Sequence, residues 1–459
     1  MENYKIENLQ LPDKYSCDES PQMIIPPNYN ELFDKIKVLK SNSSINIRDA
    51  LKFIKRTFFK NQDDVLLGIF EEANLFDMVI KFVSSKNQDL SIEALSFIID
   101  FTSNNEDFAQ LFVENKLFYI LSDIIRGFCA KSANDNDEQN HNTENTANEE
   151  NFLFLNLALS IISNLSKLNC LYVKRIWRML GSNTFFAIIK YGNNESLKKC
   201  AKIFLHSIQN SNSKSISNLA IEGIFRLLHC QDFEMLELAL YGIVAYFDDI
   251  NQSAYELDIF SKFPFQQLLE NFYSYSNSYS NVIRIRSLKI TGQMIIHKII
   301  SEFRSQTLLP LLQDNNNAQI QKLAFWCLEM SIVHFKIVDK RIFLDFLMQN
   351  GYVNLLQCSF DNIPVASKAI IEFLEKLDLN DFMAVMNDVM IMVLIRFIQL
   401  EVMQKRIMNL LLKFELKKEI IEKFSQLGGN DILDNIEKST VDNNLKKMVA
   451  DFQNKYHVF

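Results

Sequence analysis

The chain has 459 residues, 48% of them apolar and 23% charged, enough for a large core, so disorder along its whole length is excluded. Net charge is −8 and no stretch gathers the Lys and Arg needed to track a phosphate backbone, so no nucleic-acid ligand is expected. Only 10 glycines and 7 prolines occur, too few for many Gly-dependent hairpins, and the apolar residues mostly recur at three- and four-residue steps, the helical period.

From the N-terminus, residues 1–30 carry Glu, Asp, Pro and Tyr where a secretory signal needs a basic start and an apolar block. A disordered tail is expected there, and no export. Helical pattern then runs through 31–459. In Ile92–Phe101, Ile92, Leu95, Ile98 and Ile99 fall on one face while Glu93 and Ser96 point elsewhere. Asn, Ser and Asp punctuate the helices at Ser84–Asp89, Tyr191–Glu195 and Gln313–Ala318, where they cap helix starts and tolerate turns in place of glycine. Residues 131–151 are polar, acidic and nearly free of apolar side chains, the composition of a disordered loop. The longest apolar run, Val389–Ile395, is closed by Asp388 and Arg396 and falls far short of the roughly 20 residues that cross a bilayer, so no membrane partner is expected. The seven cysteines are scattered singly with no C-x-x-C pair, as reduced core residues of an intracellular protein are.

A repeat emerges from long helices whose face reads small, apolar, apolar, with a four-step to a small or polar residue. Its anchors are Arg56, Asp100, Asn164, Ser207, Ala245, Gln293, Met330 and Glu372, at steps of 44, 64, 43, 38, 48, 37 and 42 residues. The step of 64 spans the polar segment, and removing those 21 positions brings it to 43. Preceding helices at Phe76–Val83, Ile188–Tyr191, Phe225–Leu228 and Leu308–Leu312 form an expected outer layer. Armadillo and HEAT arrays have such a period, and in them stacking supplies a core that no single unit can bury. The expected fold is an all-α, armadillo-type right-handed superhelical solenoid of about nine to ten three-helix repeats over 31–459, interrupted by a disordered acidic insert at 131–151.

Residues that would carry catalysis are missing from this pattern. The six histidines never pair at metal-ligand spacing, and no phosphate loop, dinucleotide fingerprint or nucleophile elbow occurs. Acid pairs such as Asp248–Asp249 and Glu71–Glu72 sit at apparent helix ends or turns. No enzyme activity, cofactor or metal is expected.

The segment Phe424-Ser-Gln-Leu-Gly-Gly-Asn-Asp-Ile-Leu-Asp-Asn-Ile-Glu, followed by Asn444–Tyr456, resembles the closing repeat of the importin-alpha (karyopherin-alpha) family. Leu157–Ser166 is similar to the third-helix motif of a middle repeat, and Gln321–Ser331 to a later one. The resemblance implies that third helices line a concave groove, with a Trp and, four residues on, an Asn facing it. Indoles would wall the stems of Lys and Arg, and Asn would clamp an extended backbone. Carried over, the Trp places hold Ser96, Ser160, Ile203, Tyr241, Lys289, Trp326 and Lys368, and the Asn places hold Asp100, Asn164, Ser207, Ala245, Gln293, Met330 and Glu372. The implied groove residues are Ser96, Asp100, Ser160, Asn164, Ser207, Tyr241, Gln293 and Trp326.

Two departures stand out. Lys289 and Lys368 would repel a basic peptide, and the first arginine is Arg48, so the basic N-terminal cluster that binds importin-beta in the family is missing. The resemblance implies an adaptor for nuclear protein import, binding extended basic cargo peptides, with an importin-beta-type receptor as further partner and residence in cytoplasm and nucleus. The alternative is an armadillo scaffold without a transport role, holding other protein partners.

Overall fold

The computed structural model describes residues 29–61, 64–103, 105–135, 145–230, 232–250, 260, 265–274, 279–300, 305–312, 317–334, 344 and 362–456. Nearly all of these residues are helical, and none of the described residues is in a strand. The expected tail lies outside the described residues except for Tyr29 and Asn30, which open the first helix.

In order, the helices are α1 (Tyr29–Val38), α2 (Ser44–Asn61), α3 (Asp64–Glu72), α4 (Leu75–Val83), α5 (Gln88–Thr102), α6 (Glu106–Glu114), α7 (Leu117–Asp135) and α8 (Asn145–Leu168). There follow α9 (Cys170–Tyr191), α10 (Asn194–Asn210), α11 (Lys214–Leu227), α12 (Phe233–Ile250), α13 (Phe265–Tyr273), α14 (Asn281–Ile296), α15 (Leu309–Leu312) and α16 (Ala318–His334). The last are α17 (Ile363–Glu375), α18 (Leu379–Val385), α19 (Asp388–Ile398), α20 (Glu401–Lys413), α21 (Lys418–Gln426), α22 (Gly429–Ser439) and α23 (Asn443–Tyr456). The chain divides into two compact units, Met1–Leu168 and Asn169–Phe459.

All eight repeat anchors fall inside long helices: α2, α5, α8, α10, α12, α14, α16 and α17. In the first unit α5 packs between α2 and α8; in the second, α10, α12, α14, α16, α17, α20 and α23 pack each on the next. Shorter helices such as α4, α11, α13, α19 and α22 cover their other side. This is the armadillo-type all-α arrangement, in which the apolar spine lies between inner and outer layers.

Local chemistry explains the breaks. Asn87, Asn193 and Asn317, one in each predicted punctuation segment, accept hydrogen bonds from the amides of Leu90 (3.0 Å), Ser196 (2.9 Å) and Ile320 (3.1 Å). Each such cap contributes about 1 kcal/mol. Gly181 has φ 72° and ψ 166°, so it breaks α9 into two helical pieces with a conformation that a β-carbon disfavours.

Two expectations change in detail. Helix α7 runs on to Asp135 and α8 begins at Asn145, so both ends of the expected 131–151 loop are helical; residues 136–144 lie outside the described residues. Lys131 Nζ donates to Asn151 Oδ1 at 3.3 Å, tying the two ends together. In α5 the buried face is Leu90, Ala94, Leu95, Phe97, Ile98 and Phe101, while Ile92 and Ile99 are only half-buried. Residues Glu149–Leu168 of α8 are long and apolar enough to cross a membrane by length and composition, and 44% of the 18-residue apolar window within them is buried against its neighbours. Of the described cysteines, Cys200 and Cys327 are buried and all are free thiols.

Candidate functional site

Within each unit the long helices present a regular pattern of exposure. Along α5, α8, α12, α14, α16 and α17 both positions of the predicted pair are half-buried, neither sunk in the core nor free in solvent: Ser96 and Asp100, Ser160 and Asn164, Tyr241 and Ala245, Lys289 and Gln293, Trp326 and Met330, Lys368 and Glu372. Four residues is close to one turn, so each pair looks out on the same side of its helix.

Helix α10 departs from this register. Ile203 and Ser207 are wholly buried, which removes Ser207 from any peptide-contacting role. Ser207 Oγ donates to Ile203 O at 2.7 Å and accepts from Trp177 Nε1 at 2.8 Å. A satisfied hydroxyl can sit in a core, and the face that α10 exposes is one residue earlier, at Lys202 and His206.

In the first unit the fold itself engages the remaining predicted side chains. Lys55 of α2 pairs with Asp100 at 2.7 Å and donates to Ser96 Oγ at 3.4 Å. It belongs to a ladder in which Arg48 meets Asp89 at 2.5 Å and Lys52 meets Glu93 at 3.9 Å. Ser160 donates back to Asn156 O at 2.8 Å. Asn164 Nδ2 donates to Ile99 O at 3.0 Å and Thr102 Oγ1 at 3.3 Å, which ties α8 to α5. Asp100 thus meets an internal cation where a basic peptide was expected.

The second unit places Tyr241, Gln293 and Trp326 on α12, α14 and α16, long helices that each pack on the next. The Arg286 guanidinium lies 5.1 Å from the centre of the Tyr241 ring, a cation–π contact, and donates to Glu237 O. On α17, Glu372 is taken by Arg406 of α20 at 2.7 Å, and the same guanidinium reaches Glu375 at 2.6 Å. Trp326 is different. Its ring fills the space a β-carbon would occupy on Gly292, 2.0 Å from that position at Cζ3, so the indole is laid on the α14 backbone. Neither Trp326 nor Gln293 makes a side-chain hydrogen bond among the described residues.

Burial shapes the charges here. It pushes Lys289 and Arg286 below their usual ranges, with Asp248 raising Lys289 and Glu237 raising Arg286 in partial opposition. Burial also pushes the Glu329 and Asp248 carboxyls up, against the pull of Lys368 and Lys289 respectively. Sequence reasoning missed Arg286 and Glu329, whose signal was their three-residue offset from Lys289 and Trp326. Among the described residues no group of three His, Cys, Asp or Glu is placed to hold a metal.

The closing repeat explains its own glycines. Gly428 has φ 85°, and a β-carbon on Gly429 would fall 2.2 Å from the Phe424 ring. Tyr456 ends α23 by donating to Phe414 O at 3.0 Å and accepting from the Leu416 amide at 3.1 Å.

The sequence matches no protein-family model and no curated protein. Among solved structures, an engineered protein crystallised by the Northeast Structural Genomics Consortium is similar over 93% of this chain and 99% of its own, at 13% identity and a TM-score of 0.60. A designed armadillo repeat protein in complex with the peptide (KR)4 aligns with 57% of this chain and 99% of its own, at 14% identity and a TM-score of 0.43. A computationally designed armadillo repeat protein for modular peptide recognition covers the same shares at 13% identity and a TM-score of 0.43. At such identities the likeness is to the fold, and it is the first of the three, over 93% of the chain, that bears on it.

Proposed function

We propose that this protein is a non-catalytic binding scaffold that holds an extended segment of another protein across the inner helices of its second unit, with Gln293 and Trp326 as the principal contacts. The observation that carries this reading is the half-exposed pair repeated on α12, α14, α16 and α17, where the polar heads of Gln293 and Trp326 make no hydrogen bond among the described residues. An extended strand rises about 3.3 Å per residue and neighbouring helices are spaced about 8–10 Å apart, so side chains two to three positions apart reach adjacent helices. The test is selection of linear peptides from a displayed random library by the full chain. Enriched peptides lose binding about tenfold or more to Trp326→Ala; a library that yields none, or peptides indifferent to Trp326→Ala, contradicts the reading.

The finer form of this proposal is an adaptor of importin-alpha kind, carrying basic cargo between cytoplasm and nucleus with a beta-type receptor. Its support is the closing repeat, with Gly428, Gly429 and the Tyr456 tie. The scaffold without a transport role is favoured by a specific observation: Lys55 occupies Asp100 and Arg286 covers Tyr241, the acidic and aromatic places a basic cargo would use. Direct binding of purified beta-type receptor and of a Lys/Arg-rich peptide decides between them, since the transport form requires both.

A further inference from the structure

Within each unit, acidic side chains of the long helices are answered by a cation from the neighbouring long helix: Asp100 by Lys55 in the first, and in the second Glu234 by Lys198 at 2.7 Å and Glu372 and Glu375 by Arg406. Around Trp326 that pattern fails. Arg286 and Lys289 lie three residues apart on α14, both half-buried, and neither has a carboxylate within ion-pair distance among the described residues. Lys322, one turn before Trp326 on α16, is exposed and makes no ion pair there either. Asp248 acts on Lys289 only from beyond that distance. Glu237 likewise acts on Arg286 from beyond ion-pair distance, while its carboxylate accepts from Ser280 Oγ at 2.8 Å, and Glu329 has Lys368, Arg406 and Glu372 as its charged neighbours.

We propose that this patch binds an acidic extended segment of a partner protein, with an Asp or Glu of the segment pairing with Lys289 and Arg286 and an apolar residue two or three positions along stacking on Trp326. The inference rests on the reading of this face as a peptide groove and adds the polarity of its ligand. Half-buried cations without a carboxylate at ion-pair distance are unfavourable, and an incoming carboxylate relieves that while gaining charge-assisted hydrogen bonds. Arg286 commits its guanidinium to Glu237 O and the Tyr241 face and keeps further N–H donors for the ligand. Gln293, one turn on from Lys289, offers both a donor and an acceptor to the segment's backbone. The Trp326 ring is fixed from behind by Gly292, so its outer face is pre-set for an aliphatic or aromatic side chain. A basic segment would meet Arg286, Lys289 and Lys322 together.

The test uses the full chain and three labelled synthetic peptides with repeating triplets Glu-Ser-Leu, Lys-Ser-Leu and Gln-Ser-Leu, followed by fluorescence anisotropy. The acidic peptide is expected to bind at least about tenfold more tightly than the basic one, by a margin that narrows as salt rises. Lys289→Gln, which replaces a half-buried charge with a neutral chain of similar length, should lower affinity for the acidic peptide about tenfold. Lys438→Gln on the outer helix α22 should leave it unchanged. Tighter binding of the basic peptide, or indifference of the acidic one to Lys289→Gln, overturns the polarity. If Trp326→Ala weakens every peptide in that case, the groove stands; if no peptide binds, or none responds to Trp326→Ala, the groove falls with it.

Discussion

Trp326 and Gly292 form a matched pair in which one residue's missing side chain holds the other's ring. Gly292→Ala would set a methyl group 2.0 Å from Cζ3, so the indole must leave its seat. Such overpacking costs about 1–3 kcal/mol, read as a lower urea midpoint, and peptide affinity should fall with it; an unshifted midpoint would show that the indole is not seated there. Asn164 serves a neighbouring-helix bond through Ile99 O and Thr102 Oγ1, so Asn164→Ala should destabilise the first unit by about 1–2 kcal/mol in urea unfolding. His297 carries a pH dependence. Burial holds its pKa below the ordinary 6.5, its Nε2 is buried with no hydrogen-bond partner among the described residues, and its ring stacks on Phe247 at 5.9 Å. Below pH 6.5 the unfolded chain takes up a proton that the folded one refuses, so stability falls as pH drops from about 6.5 to the depressed folded value and levels off beneath it. The difference between the protein and His297→Phe isolates this slope, because the raised carboxyls of Asp248 and Glu329 act with opposite sign in both. Equal slopes in the two proteins would remove His297 as the source.

At the scale of helices, the closing repeat depends on two adjacent glycines for different reasons, a left-handed φ at Gly428 and ring contact at Gly429. Gly429→Ala should loosen α22 against Phe424 of α21, seen as faster hydrogen exchange in those two helices with α14 and α16 unaffected. Helix positions and most of the inner face were legible in the sequence because they follow from period alone: the anchors from Arg56 to Glu372 all fall in long helices, and six of the seven predicted pairs are half-exposed. The exception, α10, misled because Ser207 is a small polar residue whose hydroxyl is satisfied inside the core by Ile203 and Trp177. What the pattern could not reveal was which polar heads are already spent. Lys55 and Asp100 are 45 positions apart and Asn164 and Ile99 are 65 apart, and only the packing of successive helices makes them partners. The ends of the 131–151 segment became helical because α7 and α8 extend into it beyond the last apolar turn, where periodicity gives no signal.

For the whole molecule, the proposed ligand contacts fall on one unit, Asn169–Phe459, and on few of its inner side chains, while the corresponding helix face of Met1–Leu168 carries its own ion pairs. The chain's two tryptophans allow this to be read directly. Trp177 is 6% exposed and hydrogen-bonded in the core, whereas Trp326 is half-exposed on the inner face. Fluorotryptophan incorporated at both positions gives two fluorine resonances, and Trp326→Phe identifies its own. Saturation with a selected peptide should shift the Trp326 resonance and leave that of Trp177 in place; a bound peptide that leaves the Trp326 resonance unmoved would contradict the account.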